Sequence, residues 1–156
     1  MKLNRKLAAP LLAVGLAATL TPLTASPASA DSMHGCTYPR VCLYSGAYSG
    51  GSVIGWYQDT YYQNLPTSIR NDPDAVVNTR NDDSVWLLDT GHSPDAYLCI
   101  PKNKAVNLGN YAHPNGTTWA NDVDTILIWP EPDDGKCSGT NDVQQGTVKD
   151  GWRPPS

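Results

Sequence analysis

Four cysteines, three histidines and a scatter of Asp and Asn residues are the side chains with which this chain could do chemistry. Thiolate-held zinc requires second ligands close in sequence. Cys99 and Cys137 stand alone, and His34, His92 and His113 show no paired spacing, so a metal centre is a poor reading of these residues. An even cysteine count in an exported chain reads instead as a disulfide framework. Three pairings are possible. The short spacing of Cys36 and Cys42 favours a small closed loop between them, which leaves Cys99 to tie down Cys137. Nucleophilic catalysis has no local signature such as a G-x-S-x-G elbow. Asp82-Asp83 and Asp133-Asp134 are adjacent pairs, which point opposite ways on a strand and are solvated in a loop, so they do not make a glycosidase-type acid pair. The chain reads as a binding protein rather than an enzyme.

Two further groups could contact a ligand. Asn71-Asp72 and Asn121-Asp122 open two similar turns, where such residues cap backbone amides through their side chains. Trp56, Tyr57, Tyr61 and Tyr62 crowd one hairpin region. Alternation along a strand sends about half of its aromatics inward, and the core reading suits Trp56, Trp86 and Trp129. Tyr61 and Tyr62 lie beside the polar Gln58-Asp59-Thr60 and Gln63, which makes them a candidate exposed contact loop.

The elements that must position these residues are short strands. Val41–Tyr44, Val53–Tyr57, Ala75–Val77, Val85–Leu88, Tyr97–Ile100 and Thr125–Trp129 are rich in β-branched and aromatic residues and are separated by Gly, Pro, Asn and Asp clusters. Outside the first thirty residues no stretch sustains a helical apolar period. The strands fall into an internal repeat. One unit runs from Val41 through Asn64-Leu65 to Asn71-Asp72 and Ala75-Val76; the second runs from Val85 through Asn107-Leu108 to Asn121-Asp122 and Thr125-Ile126. Extra residues from Tyr111 to Trp119 predict a longer loop in the second unit. The expected fold is all-β, two Greek-key units packed as a sandwich.

Lys2, Arg5 and Lys6, the apolar run Leu7–Leu20 and the Ala28-Ser29-Ala30 pattern read as a signal peptide over residues 1–30. That division predicts a domain over 31–130 and an acidic, Pro-rich tail over 131–156 tied by Cys137, with a frayed end at Gly151–Ser156. Residues 1–30 carry three basic and no acidic side chains, so their loss takes the formal charge from −4 to −4 − 3 = −7. An acidic body with scattered Lys and Arg offers neither a phosphate-tracking stripe nor a polybasic membrane patch. Nucleic acid, and membrane after signal cleavage, are therefore not expected partners, and the expected location is extracellular.

Cys36-x5-Cys42-Leu43-Tyr44 followed by Gly50-Gly51, the Asn64-Leu65 step, and the Asn71-Asp72 and Asn121-Asp122 turns together resemble secreted actinobacterial βγ-crystallin proteins of the SMPI-type metalloproteinase inhibitor family. The resemblance covers Cys36 to Trp129 and implies a βγ-crystallin-like sandwich and a secreted protease, of the metalloprotease class, as partner. The family's inhibitory loop sets an apolar residue after a cysteine, which maps onto Cys99, Ile100 and Pro101, although the second nearby cysteine that closes that loop is absent. The fold family often binds calcium through paired Asn or Asp followed by hydroxyl residues. Ala75 and Val76 remove both hydroxyls from the first copy, and Ile126 removes one from the second. No cofactor is required on this reading, and at most one weak calcium site is expected, at Asn121, Asp122 and Thr125. The alternatives are a non-inhibitory βγ-crystallin module with weak calcium binding, and a secreted toxin or wall-binding protein.

Overall fold

The computed structural model describes residues 32–129, 137 and 141–149, so the expected signal peptide and most of the acidic tail lie outside the described residues. The structure is all-β. The strands are β1 (Val41–Ser45), β2 (Ser52–Tyr57), β3 (Tyr62–Asn64), β4 (Ala75–Asn78), β5 (Val85–Asp89), β6 (Ala96–Ile100), β7 (Lys104–Asn107), β8 (Thr125–Ile128) and β9 (Gln144–Thr147). One turn of 3-10 helix, Leu108–Asn110, precedes the long loop before the eighth strand. The strands form two antiparallel sheets, a four-stranded one ordered β2-β1-β4-β7 and a five-stranded one ordered β3-β8-β5-β6-β9.

The six strands expected from composition form where expected. β3, β7 and β9 were not anticipated, and each lies at a sheet edge. In each repeat the fourth strand lies beside the first, β4 on β1 and β8 on β5, while the third crosses to the other sheet: β3 pairs with β8 and β7 with β4. The connections repeat as well. Asp74 N–H donates to Tyr44 O and Asp124 N–H to Leu88 O, at 2.8 and 2.9 Å. Across the units, Leu108 N–H donates to Asp74 O and Leu65 N–H to Asp124 O.

Strict alternation on β1 and β5 divides their side chains between two environments. Val41, Leu43, Val85 and Leu87 point into the interior between the sheets, with Ile100, Ile126 and Trp119. Their neighbours Cys42 and Tyr44 belong to a second cluster with Cys36, Ala75 and Val77, and Trp86 and Leu88 to a third with Cys99, Cys137 and Val148. The outer faces are thus covered as well. This is why β1 and β5 read as continuous apolar runs instead of alternating ones. The two covers are held by the disulfides Cys36–Cys42 and Cys99–Cys137, the pairing favoured by spacing.

Two expectations are corrected, and a third holds with an addition. Trp56 is not core: it stands on β2 at the edge of the four-stranded sheet, 51% exposed, with the Arg40 guanidinium 4.2 Å above its ring. The C-terminal segment is anchored by more than Cys137, because β9 pairs along β6 and Val148 N–H donates to Asp95 O at 2.7 Å. The segment from Tyr111 to Trp119 is a loop closed by an Ala112–Thr118 bridge, but its last residue, Trp119, is a fully buried member of the interior.

The link between the repeats is pinned by Arg80. Its guanidinium pairs with Asp83 and donates to Pro39 O and Gln58 O at 3.1 and 3.0 Å. Asn78 Nδ2 donates to Asp83 O and to Pro101 O at 3.0 and 3.1 Å. A buried charge needs this degree of compensation to be tolerated.

Candidate functional site

A polar concavity sits where the β5–β6 loop meets the turn before β8. It is an open depression of about 610 Å³, lined by Arg70, Asp89, Thr90, His92, Asn115, Asp122 and Asp124 among others. Asp124 organises it. Its Oδ2 accepts from Thr90 N, Thr90 Oγ1 and Gly91 N at 3.0, 3.1 and 3.1 Å. Its Oδ1 accepts from the Asn71 side-chain amide at 3.2 Å and lies 3.8 Å from Arg70 Nε. Asn71 and Asn121 both hold left-handed backbone, at φ 56 and 62°, a conformation Asn tolerates better than most residues. The repeat places Asn121 correspondingly, its Nδ2 donating to Asp74 Oδ1 at 3.2 Å while Asp74 Oδ2 accepts from Gly46 N at 2.7 Å.

The capping role expected of Asn71, Asp72, Asn121 and Asp122 therefore belongs to Asp74 and Asp124, two positions beyond each Asn-Asp pair. The signal was available, since both repeats carry an aspartate at the same step before the fourth strand. Below the depression lies a buried pair. The His113 side chain is 0% exposed, with Nε2 3.3 Å from Asp89 Oδ2 but poorly aligned for a hydrogen bond. His113 Nδ1 accepts from Asn115 N at 3.2 Å. Its ring stands edge-on to Trp119 and His92, at 4.5 and 5.6 Å between centroids. Burial pushes the Asp89 carboxyl above the usual carboxylate range; the Gly91 amide and His113 oppose the shift, and the charges of Asp124 and Asp122 add to it.

The residues singled out for calcium do not converge. Asn121 is spent on Asp74, Asp122 Oδ2 accepts from Asn115 Nδ2 and Thr117 Oγ1, and Thr125, fully buried in β8, donates to Asn64 Oδ1 at 3.2 Å. Among the described residues no group of three or more His, Cys, Asp or Glu is arranged to hold a metal ion.

Cys99 and Ile100 close β6, an inner strand between β5 and β9, and Pro101 follows directly. Ile100 is 0% exposed and packs in the interior. This is the strand geometry that periodicity favours and the opposite of a presented loop: the segment would have to leave the sheet to enter a protease cleft. Of the two tyrosines, Tyr61 is exposed at 49%, whereas Tyr62 begins β3 and packs against the cluster around Trp86 and Trp129. Tyr61 is thus exposed, as are Trp56 and Val53, the latter at 44%. These are the three large apolar side chains most open to solvent among the described residues. Trp, Tyr and Arg are the residue types that dominate the centres of protein interfaces.

The two disulfides fit an oxidising, extracellular setting, and among the described residues no helix is long and apolar enough to cross a membrane. No family model, curated protein or solved structure matches the chain.

Proposed function

We propose that this protein is a secreted inhibitor of extracellular proteases, with metalloproteases as the target class, and that it acts as a preformed binding body rather than as a substrate-like loop. The observation that carries the reading is the exposed Trp56, stacked under Arg40, and the exposed Val53 on edge strand β2, with the exposed Tyr61 four residues past that strand's end, on a body tied by two disulfides. A contact surface held on a rigid sheet loses little conformational freedom when it binds. Among the described residues the outer edge of β2 pairs with no other strand, which suits docking of an extended segment of a partner. The placement of the fourth strand beside the first in both repeats supports the Greek-key, crystallin-like arrangement that the family resemblance implies. Export through residues 1–30 belongs to the same reading.

The test is a panel of secreted metallo-, serine and cysteine proteases assayed with the protein lacking residues 1–30. Inhibition confined to metalloproteases is expected, and a combined Trp56→Ala and Tyr61→Ala variant should weaken it by at least about tenfold, the loss of one interface hot spot. Inhibition that survives the double substitution moves the contact elsewhere; a panel without any inhibition ends the proposal. A second reading, a non-inhibitory module with one weak calcium site, rests on the half-buried Asp122 at the rim of the depression. Titration calorimetry with calcium on the parent and an Asp122→Asn variant separates it from the first.

A further inference from the structure

His113 is fully buried, yet each of its ring nitrogens faces a group with a fixed preference. Nδ1 accepts the Asn115 backbone N–H at 3.2 Å, so it carries no proton, and the single ring proton is on Nε2, facing Asp89 Oδ2 at 3.3 Å. A second proton has only Nδ1 to occupy, where it would meet the Asn115 N–H head-on. Two donors pointing at each other lose their hydrogen bond, and the one on the buried ring has no other acceptor in reach to offset its desolvation, whereas the exposed Asn115 amide can turn to solvent.

The charges around the ring act in both directions. Asp89 on β5 faces it directly, and Asp124 and Asp122, from the turn before β8, press on Asp89. These three draw a proton toward the ring. Arg70, 3.8 Å from Asp124, and His92, whose ring is 5.6 Å from that of His113, oppose this. On the fourth side is the Trp119 ring, which carries no charge. The carboxylates therefore attract a proton that the hydrogen-bond geometry cannot accept while the loop stays in place.

That loop does work at the surface. His113 N–H donates to Thr117 O and Gly116 N–H to His113 O, closing a turn whose Asn115 and Thr117 side chains both reach Asp122 at the rim of the depression. We propose that His113 is an acid-sensitive latch: protonation of Nδ1 expels the Asn115 amide, frees the turn at residues 114–117 from Asp122, and widens the depression at that rim. His113 lies on the loop before β8, Trp56 on β2 and Tyr61 between β2 and β3, so the latch and the protease contact can be tested with separate variants.

Hydrogen exchange of the Asn115 amide, followed with the His113 ring resonances from about pH 8 to pH 5, the range in which histidines titrate, tests it. After correction for intrinsic exchange, protection of Asn115 should fall by about tenfold, the worth of one hydrogen bond plus its desolvation, in step with the His113 ring. Protection at Leu43 in the interior should stay constant. A His113→Gln variant should remove the step; if it does not fold, the titration of the unaltered protein alone still decides. Constant Asn115 protection through the His113 titration, a His113 ring that does not titrate in this range, or a loss of protection that follows His92 instead, would each overturn the latch.

Discussion

The β1–β2 and β5–β6 loops are counterparts, each of six residues joining the first two strands of a repeat, and each is tied by an aspartate from a turn before a fourth strand. In the first, Asp74 meets one loop amide, Gly46 N, and one amide side chain, Asn121. In the second, Asp124 meets two loop amides, a hydroxyl, an amide side chain and an arginine, and the strand-end residue beside it is Asp89 where the first repeat has Ser45. The backbone frame is shared, but charge has gathered on one copy. A duplicated scaffold needs one capping carboxylate per loop to hold its shape. Whatever is added beyond that, here Asp89, His113 and Arg70, is not required by the fold common to both repeats and is the place to look for chemistry.

The covers should differ most. Opening Cys99–Cys137, separated by 38 residues, should cost about 4 kcal/mol in the chain-entropy model, against about 2 kcal/mol for Cys36–Cys42, separated by 6. Denaturant titration of the two double Cys→Ser variants would read the difference, and equal losses would show that the covers act by packing alone. The caps come next. Asp124→Ala should cost about 3 kcal/mol and Asp74→Ala about 1.5 kcal/mol, since the former strands more donors around a more buried carboxylate. Equal values in urea melts would make the second loop's extra bonds redundant.

A pH difference should follow at Asp89. Its folded-state pKa lies above the unfolded value, so the folded protein binds the extra proton between the two; stability therefore falls as pH rises through that window and levels off above it. Asp89→Asn should remove this slope, and a Ser45→Asn control in the first repeat should leave it intact, as thermal melts at a series of pH values would reveal. The smallest stability effect belongs to the contact surface. Trp56→Ala and Tyr61→Ala should each change stability by no more than about 0.5 kcal/mol, because neither is buried. A large loss would return Trp56 to the structural role that its position on a strand suggested.

Strands that carry their own apolar side chains were legible in the sequence. Val41–Ser45 and Val85–Asp89 are central and buried on both faces, and composition alone marks them. Tyr62-Gln63-Asn64, Lys104-Ala105-Val106-Asn107 and Gln144-Gln145-Gly146-Thr147 are strands because a neighbour offers them a free edge, a cause that lies elsewhere in the chain. Trp56 misled for a related reason: alternation says which face a side chain takes but not whether that face is covered at the sheet's margin. At the polar depression, the repeated Asn-Asp pair drew attention from Asp74 and Asp124, whose role emerges only once the loops they cap are brought to them. His113, an isolated histidine in a Pro- and Gly-containing loop, gave no sign of burial; the loop's closure onto Trp119 puts it there.

Because β3 of the first repeat hydrogen-bonds to β8 of the second, and β7 of the second to β4 of the first, neither repeat owns a complete sheet. Half of this chain, whether newly synthesised or severed between residues 79 and 84, is left with a strand that has no partner and an apolar face with nothing opposite it. Intermediates with one half formed are correspondingly high in energy. Melting should be a single cooperative transition with matching calorimetric and van't Hoff enthalpies, and the two halves produced separately should acquire structure only when mixed.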